Sequence, residues 1–169
     1  MKNVSMFARA LRLGLSSMLV GVALPLAALA QDGDLSIVRV YAGWRDAASF
    51  KRISEYFTRR ENTGGEAVLR TQPGERSGYY FLVRTANADA SRAVTARLQL
   101  ITDASASPTV HTFPVQLKAG STVFHLGLTG ADWTDRGADP VAWKLDLTGA
   151  DGRVLATEKS YLWDRPPTK

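Results

Sequence analysis

The sequence predicts an all-β fold, a two-sheet antiparallel β-sandwich of about seven to nine strands with one short α-helix near residues 46–60. Short segments in which apolar and polar residues alternate recur at intervals of roughly 8–12 residues, with turn-forming residues between them. Residues 46–60 show the helical spacing of apolar residues instead. The last two alternating segments form a hairpin with one apolar face, which a second sheet has to cover.

This predicted last hairpin, residues 141–163, has the clearest pattern in the chain. Apolar residues occupy every second position of its first strand, which is the period of a strand with one buried face. Asp151 and Gly152 tolerate positive φ, so the chain can reverse there and return. The residues expected on the buried face are Val141, Trp143, Leu145 and Leu147 on the first strand and Leu155, Tyr161 and Trp163 on the second.

The chain begins with the three parts of a secretory signal peptide, which we place at residues 1–30. A start with three basic residues and no acid precedes an apolar stretch at 13–29, and the small residues at 28–30 provide a cleavage site. A membrane anchor is the alternative, because the apolar stretch approaches spanning length. Pro25 and the small residues favour removal after Ala30, so we expect no membrane insertion once the signal is cleaved.

Residues 31–164 are then expected to form a single exported domain, periplasmic or extracellular, followed by a polar tail at 165–169. Three of the 21 lysines and arginines and none of the 16 acids lie in residues 1–30, so removing them lowers the formal net charge from +5 to +2. Such a weak charge gives no reason to expect binding to nucleic acid. The chain has no cysteine, which excludes disulfides, thiolate metal sites and lipid attachment through cysteine.

In the first part of the mature chain we expect a strand and then a helix. Residues 35–44 are apolar on both faces, as in an inner strand or an edge strand lying under the next segment. Within residues 46–60, an amphipathic helix is predicted because apolar residues lie at i, i+3 and i+7. These residues are Phe50, Ile53 and Phe57.

The middle of the chain predicts five further strands. Residues 66–71 and 78–85 are expected to form a hairpin across a Pro-Gly turn, and the second of these segments is apolar on both sides, as a central strand would be. Pro114 has no N–H to donate, which places its strand at a sheet edge or a bulge. The other predicted strands are 93–102, 109–117 and 122–128, the last with Phe124, Leu126 and Leu128 inward.

The region 109–163 resembles the last strands of exported bacterial immunoglobulin-like or fibronectin III-like sandwich domains. The features that carry this resemblance are the glycine turn and inward aromatic residue within 117–124, the buried Trp143 and the Gly-Ala-Asp-Gly turn at 149–152. The disulfide of true immunoglobulin domains is missing, and the helix is not a standard part of them. The resemblance implies a fold and no particular function.

The sequence contains few of the residues and motifs that catalysis requires. It has no GxSxG, Walker or GxGxxG motif, and only two histidines, His111 and His125. If the strands at 109–117 and 122–128 paired, these histidines would lie close together on one face, and a two-histidine metal site would be geometrically possible. No third ligand lies nearby in the sequence, so we predict two rim histidines, no catalytic activity, no cofactor and no metal.

Binding is therefore the predicted role, with two alternatives for the ligand. The first is a protein partner in the bacterial cell envelope, contacted through the arginine-rich helix and adjoining hairpin or by strand addition at a sheet edge. The second is carbohydrate, stacked on tryptophans in loops or on the surface. The arginines themselves could meet an acidic partner or an anionic glycan. The candidate binding residues are Arg52, Arg59, Arg60, Trp44, Trp133 and Tyr80.

Overall fold

In a computed structural model that describes residues 34–164, eight strands form two four-stranded sheets. The predicted signal peptide at 1–30 and the polar tail at 165–169 lie outside the described residues. The strands are β1 (Leu35–Arg45), β2 (Ala67–Arg70), β3 (Gly78–Asn87), β4 (Arg92–Thr102), β5 (Ser105–Leu117), β6 (Gly120–Thr129), β7 (Ala142–Thr148) and β8 (Val154–Lys159), and the helix α1 is Ile53–Thr58. Within this range no helix has the length and apolar content needed to cross a membrane.

The strand order identifies the fold. Sheet 1 has the order β1-β3-β6-β2, and sheet 2 has the order β5-β4-β7-β8. Without β2, the remaining strands follow the immunoglobulin-like arrangement, in which the first, second and fifth strands form one sheet and the others form the second. The predicted all-β sandwich and its immunoglobulin-like character are therefore confirmed, and β2 is an addition to the edge of sheet 1.

The core lies between the two sheets. The inward faces expected for β4 and β6 are confirmed, because their alternate apolar side chains are fully or almost fully buried. Burying one such side chain stabilises the fold by about 1.5–3 kcal/mol. The largest fully buried side chains between the sheets are Phe81, Phe124, Leu98, Leu126, Leu145 and Leu147.

The predicted hairpin between residues 66–71 and 78–85 is wrong. β2 pairs in parallel with β6, so that Val68 lies opposite His125, and β3 lies on the other side of β6. The physical reason is the length of the competing pairings. β3 is in register with both β1 and β6 along its whole length, which leaves it no free edge for the four-residue β2. The prediction that β3 is a central strand is confirmed.

The buried face predicted for the last hairpin is confirmed in its middle and is wrong at both ends. Val141 precedes β7 and is exposed. Leu145 and Leu147 are fully buried, and Trp143 packs edge-on against Phe81 with ring centroids 5.6 Å apart. β8, however, ends before Ser160, which accepts a hydrogen bond from the Trp143 N–H and donates its own N–H to the Trp143 carbonyl. The chain then turns away, which leaves Tyr161 76% exposed instead of buried.

Residues 46–60 also differ from the single helix that the spacing predicts. A 3₁₀ turn at Ala47–Phe50 is separated from α1 by Lys51 and Arg52, whose backbones are extended. The Glu55 side chain accepts a hydrogen bond from the Arg52 N–H at 3.4 Å, which starts a new helix at Ile53. Phe50 therefore does not share a face with the apolar residues of α1.

Candidate functional site

We call the segment between β1 and β3, residues 46–77, the inserted segment, which contains α1 and β2. Its strand β2 extends the edge of sheet 1, and its Phe50 covers the outer face of that sheet. Beneath the segment lie two polar side chains that point away from the core of the sandwich, yet Tyr80 is only 1% exposed and His125 only 6% exposed. Phe50 covers both, at centroid distances of 4.7 Å and 6.1 Å respectively. The inserted segment thus builds a second, smaller layer of packing outside the sandwich.

Tyr80 is the residue on which this outer layer is assembled. It lies on β3 in register with Gly43 of β1 and Gly127 of β6, so no neighbouring side chain competes for the space of its ring. A Cβ at position 127 would approach the Tyr80 Cζ to 2.8 Å. The Tyr80 hydroxyl donates to the Arg76 carbonyl and accepts from Arg70 Nε, both at 2.8 Å. Burial raises the pKa of Tyr80, so its hydroxyl stays protonated and able to donate.

An ion-pair network holds α1 against this layer. Arg70 contacts both carboxylate oxygens of Glu61, at 2.6 and 3.1 Å, and its guanidinium lies 5.4 Å above the Phe50 ring. Arg76 contacts Glu55 at 2.7 Å and Glu61 at 3.7 Å. The hydrogen bond from Arg76 lowers the pKa of Glu55, and the hydrogen bond from Arg70 lowers that of Glu61 despite partial burial. The network joins the helix, β2 and the turn before β3.

The outer surface of α1 carries three large exposed side chains, which we call the apolar tip. Ile53, Tyr56 and Phe57 are 79%, 74% and 83% exposed, respectively. Their i, i+3, i+4 spacing puts them on one face of the helix. Phe50, which the predicted helix would have placed beside them, is instead turned inward onto Tyr80. The result is an apolar face that no described residue covers.

Two basic residues precede α1 and two follow it. All four are exposed, and none forms an ion pair with an acid of the described region. The acids nearest in sequence, Glu55 and Glu61, are already held by Arg70 and Arg76. We call the four residues Lys51, Arg52, Arg59 and Arg60 the basic rim.

Arg59 has an unusual backbone. It ends α1 in the left-handed region, with φ 53° and ψ 19°, and it is the only non-glycine residue with positive φ in the described range. Glycine or asparagine is the usual residue at such a position, because a side chain there is strained. An exposed arginine that makes no ion pair there has no evident role in the stability of the fold.

The structure separates the six candidate binding residues into two groups. Arg52, Arg59 and Arg60 are exposed and flank α1 in the sequence. Tyr80 is buried and supports the inserted segment from below, so its surface is not available to a ligand. Trp44 and Trp133 belong, with Tyr80, to the second group, whose members are not part of the basic rim.

None of the four tryptophans, all of which lie in the described range, offers an exposed ring. Each is partly buried. The Trp44 indole N–H donates to Asp46 at 3.1 Å, and Trp133 packs on Tyr79 with centroids 4.9 Å apart. This arrangement gives no open aromatic platform of the kind on which a sugar ring stacks.

The two histidines lie far apart in the topology. Their strands do not pair, because the turn at 118–121 carries the chain from sheet 2 to sheet 1, which puts His111 on β5 and His125 on β6. The prediction of two rim histidines is wrong for His125, which the inserted segment buries. Burial lowers the pKa of His111, with Asp132 opposing the effect. His125 Nε2 lies 2.9 Å from a Glu66 carboxylate oxygen. Among residues 34–164, no three His, Cys, Asp or Glu side chains are grouped as metal ligands would be.

The sequence did not predict the residues beneath α1 that hold the inserted segment in place. The ion-pair network joins residues 9 to 21 positions apart, and the contact of Phe50 with Tyr80 depends on the break before α1. The one available signal was the local match of glutamates to arginines between positions 55 and 76. That match predicts ion pairs on the surface, but it does not show which arginines remain without an acidic partner.

Comparison with known proteins adds little to this picture. No protein-family model matches the chain, and no curated protein matches it either. Among solved structures, it is similar to a β-glucosidase from Chaetomella raphigera, with 16% identity, a TM-score of 0.38, and coverage of 74% of this chain and 18% of that one. It is also similar to an immunoglobulin-like protein from Pseudomonas aeruginosa, with 15% identity, a TM-score of 0.30, and coverage of 76% and 95%. The strand order, not these similarities, defines the fold.

The packing of Tyr80 predicts a contrast between two glycines. We expect Gly127→Ala to lower the free energy of unfolding by about 1–3 kcal/mol, because the added Cβ meets a ring that Phe50 and two hydrogen bonds hold in place. Gly43→Ala is the matched control, since it flanks the same tyrosine on β1 but has open space at its Cβ. Urea denaturation of both variants measures the difference. Equal stabilities would contradict the described position of the ring.

The ion-pair network predicts an effect of pH on the inserted segment. Glu55 and Glu61 have pKa values lowered from the ordinary 4.5, so they stabilise the folded state above that pH and lose the effect as pH falls through their folded pKa values. We expect amide hydrogens of β2 to lose protection from exchange below pH 4.5, at a higher pH than those of β4. Simultaneous loss in both strands would show that the network does not hold the segment separately.

Proposed function

We propose that the protein is a non-catalytic binding module of the bacterial cell envelope that recognises another protein through the apolar tip. The observation that carries this proposal is the exposure of Ile53, Tyr56 and Phe57 on a segment that ion pairs hold in place. Contiguous apolar surface on a folded domain is typical of interaction sites. A surface that is already ordered loses little conformational entropy on binding, which favours affinity.

The basic rim indicates the chemistry of the partner. A partner that offers an apolar pocket bordered by aspartates or glutamates would cover the three side chains and pair with the four cations. Rim charges of this kind act mainly on the association rate and make it depend on salt. The Arg59 backbone supports the same contact, because a strained arginine is retained where glycine would be more stable.

Binding has more support than catalysis in the described residues. His111 and His125 lie on different sheets, and His125 contacts a carboxylate rather than a hydroxyl nucleophile. Carbohydrate stacking has less support than a protein contact, because all four tryptophan rings are partly buried. Strand addition is disfavoured at β5, an edge strand in which Pro114 has no N–H to offer.

The proposed location depends on the signal-peptide features of residues 1–30. We expect the full chain, expressed in a Gram-negative host, to be found in the periplasm or the medium with Gln31 as its first residue. Cell fractionation and mass spectrometry of the intact protein measure both. A protein that keeps Met1 and remains in the cytoplasm would contradict export.

The apolar tip is tested by its effect on partner capture. Purified protein is immobilised and exposed to an envelope extract, and each captured protein is quantified by mass spectrometry. We expect Phe57→Ser to weaken capture of the true partner by about tenfold or more, because a central aromatic contact contributes about 2 kcal/mol. Tyr41→Ser is the control, since Tyr41 is also exposed, at 55%, but lies on β1. A protein lost equally from both variants, or from neither, is not the partner.

Arg59→Gly separates a role in binding from a role in stability. We expect the variant to be more stable than the wild type by up to about 1 kcal/mol, because glycine removes the strain of positive φ. Capture of the same partner should nevertheless fall, and the salt dependence of binding should become weaker. An Arg59→Gly variant that binds as the wild type does would remove Arg59 from the contact.

A further inference from the structure

A cleft of about 270 Å³ lies between the inserted segment and the outer face of sheet 1, away from the apolar tip. Its walls come from the end of β1, the loop after α1, and β6. The volume is sufficient for one sugar ring or about one amino-acid residue, which is slightly below the range of drug-sized ligand pockets. The lining residues used below are Arg45, Phe50, Arg52, Glu61, Glu66 and His125.

His125 brings a buried polar group to this cleft. Its Nε2 lies 2.9 Å from Glu66, and a carboxylate there favours the ring form in which Nε2 carries the hydrogen. The other ring nitrogen, Nδ1, is buried and has no hydrogen-bond partner among the described residues. A buried polar atom without a partner costs about 1–3 kcal/mol. The cleft therefore borders a histidine whose position is held by Glu66 and Phe50.

Two arginines of the cleft are available to an anion. Neither Arg45 nor Arg52 forms an ion pair with an acid in the part of the chain that the structure describes. The Arg52 guanidinium is packed against Gly64, where a Cβ would lie 2.7 Å from Nη1. Its Nη2 also donates to the Thr63 carbonyl at 3.4 Å. Arg52 is thereby held in place before any ligand arrives.

The charges around the cleft leave one positive charge in excess. Glu61 is paired with Arg70, and Glu66 with His125, so the two acids of the lining are already engaged. Arg70 lies outside the lining and pairs with Glu61, so the lining arginines Arg45 and Arg52 stand against the one remaining glutamate, Glu66, when His125 is neutral. A ligand with a single negative charge would balance the site, whereas a doubly charged phosphate would leave it negative.

We propose that this cleft binds a small ligand with one carboxylate, which pairs with Arg45 and Arg52 and lies against the rings of Phe50 and His125. Planar guanidinium groups bind carboxylates through paired hydrogen bonds, and the ring of Phe50 provides an apolar wall. A uronic acid has such a carboxylate, and so does the C-terminus of a peptide. Arg52 belongs to both the cleft and the basic rim, whereas Arg45 belongs to the cleft alone.

Nuclear magnetic resonance of the His125 ring nitrogens in the purified protein provides the test. The probes are glucuronate and N-acetylalanine, with glucose and N-acetylalaninamide as their uncharged counterparts and inorganic phosphate as a second anion. We expect at least one carboxylate probe to shift the His125 resonances in a saturable way, and the uncharged counterparts to have no effect. A response to glucuronate alone identifies a sugar ligand, a response to N-acetylalanine alone identifies a peptide end, and a response to both keeps the carboxylate assignment.

Arg45→Gln is the decisive variant, because Arg45 lies outside the basic rim. We expect it to weaken binding by about tenfold, the effect of losing one charge-assisted hydrogen bond. Arg97→Gln is the control, since Arg97 is an exposed arginine on β4 of the other sheet. The proposal is overturned if neither carboxylate shifts His125, if phosphate binds as well as the carboxylates, or if Arg45→Gln binds as tightly as Arg97→Gln.

Discussion

The burial of Tyr80 on the outer side of sheet 1 is the constraint on which the site depends. An immunoglobulin-like sandwich needs only its inner faces to be apolar, so a large ring on the outer face of a central strand requires its own cover. Gly43 and Gly127 make room for the ring, and Phe50 closes over it. Its hydroxyl then fixes Arg70 and the chain at Arg76. The inserted segment is attached to the sandwich at this point.

Aromatic packing and ion pairs contribute differently to this attachment. The contact of Phe50 with Tyr80 removes apolar surface from water and stabilises the segment at any pH. Two ion pairs, Arg70 with Glu61 and Arg76 with Glu55, also hold the segment. Their charges stabilise it less than the short distances suggest, because solvent screens partly exposed groups. Their main effect is geometric. They fix the orientation of α1 on a layer that the aromatic rings have already closed, and so they decide which side chains remain outside.

The sandwich could be predicted from the sequence, and most of the site could not, for one physical reason. Alternation along β4 and β6 reports local burial, and every second residue of these strands does lie in the core. The parallel pairing of β2 with β6 joins Val68 to His125, and no local pattern records such a distant contact. Likewise, Phe50, Ile53 and Phe57 have the spacing of a buried helical face, although only Phe50 is covered. Apolar spacing shows that a face needs a partner, not whether the partner belongs to the same chain.

The inserted segment concentrates features that stability alone does not favour. Three of its apolar side chains face solvent and Arg59 adopts a glycine-like backbone, while beneath it a buried nitrogen of His125, on β6, has no hydrogen-bond partner among the described residues. Local choices that agree with the fold are the rule elsewhere, for example in the inward faces of β4 and β6. Of the residues in the segment, Leu69 of β2 packs against the core, whereas the exposed side chains of α1 take no part in it. The exposed apolar tip and the strained Arg59 thus belong to the inserted segment, whereas the largest buried side chains of the core lie between the two sheets.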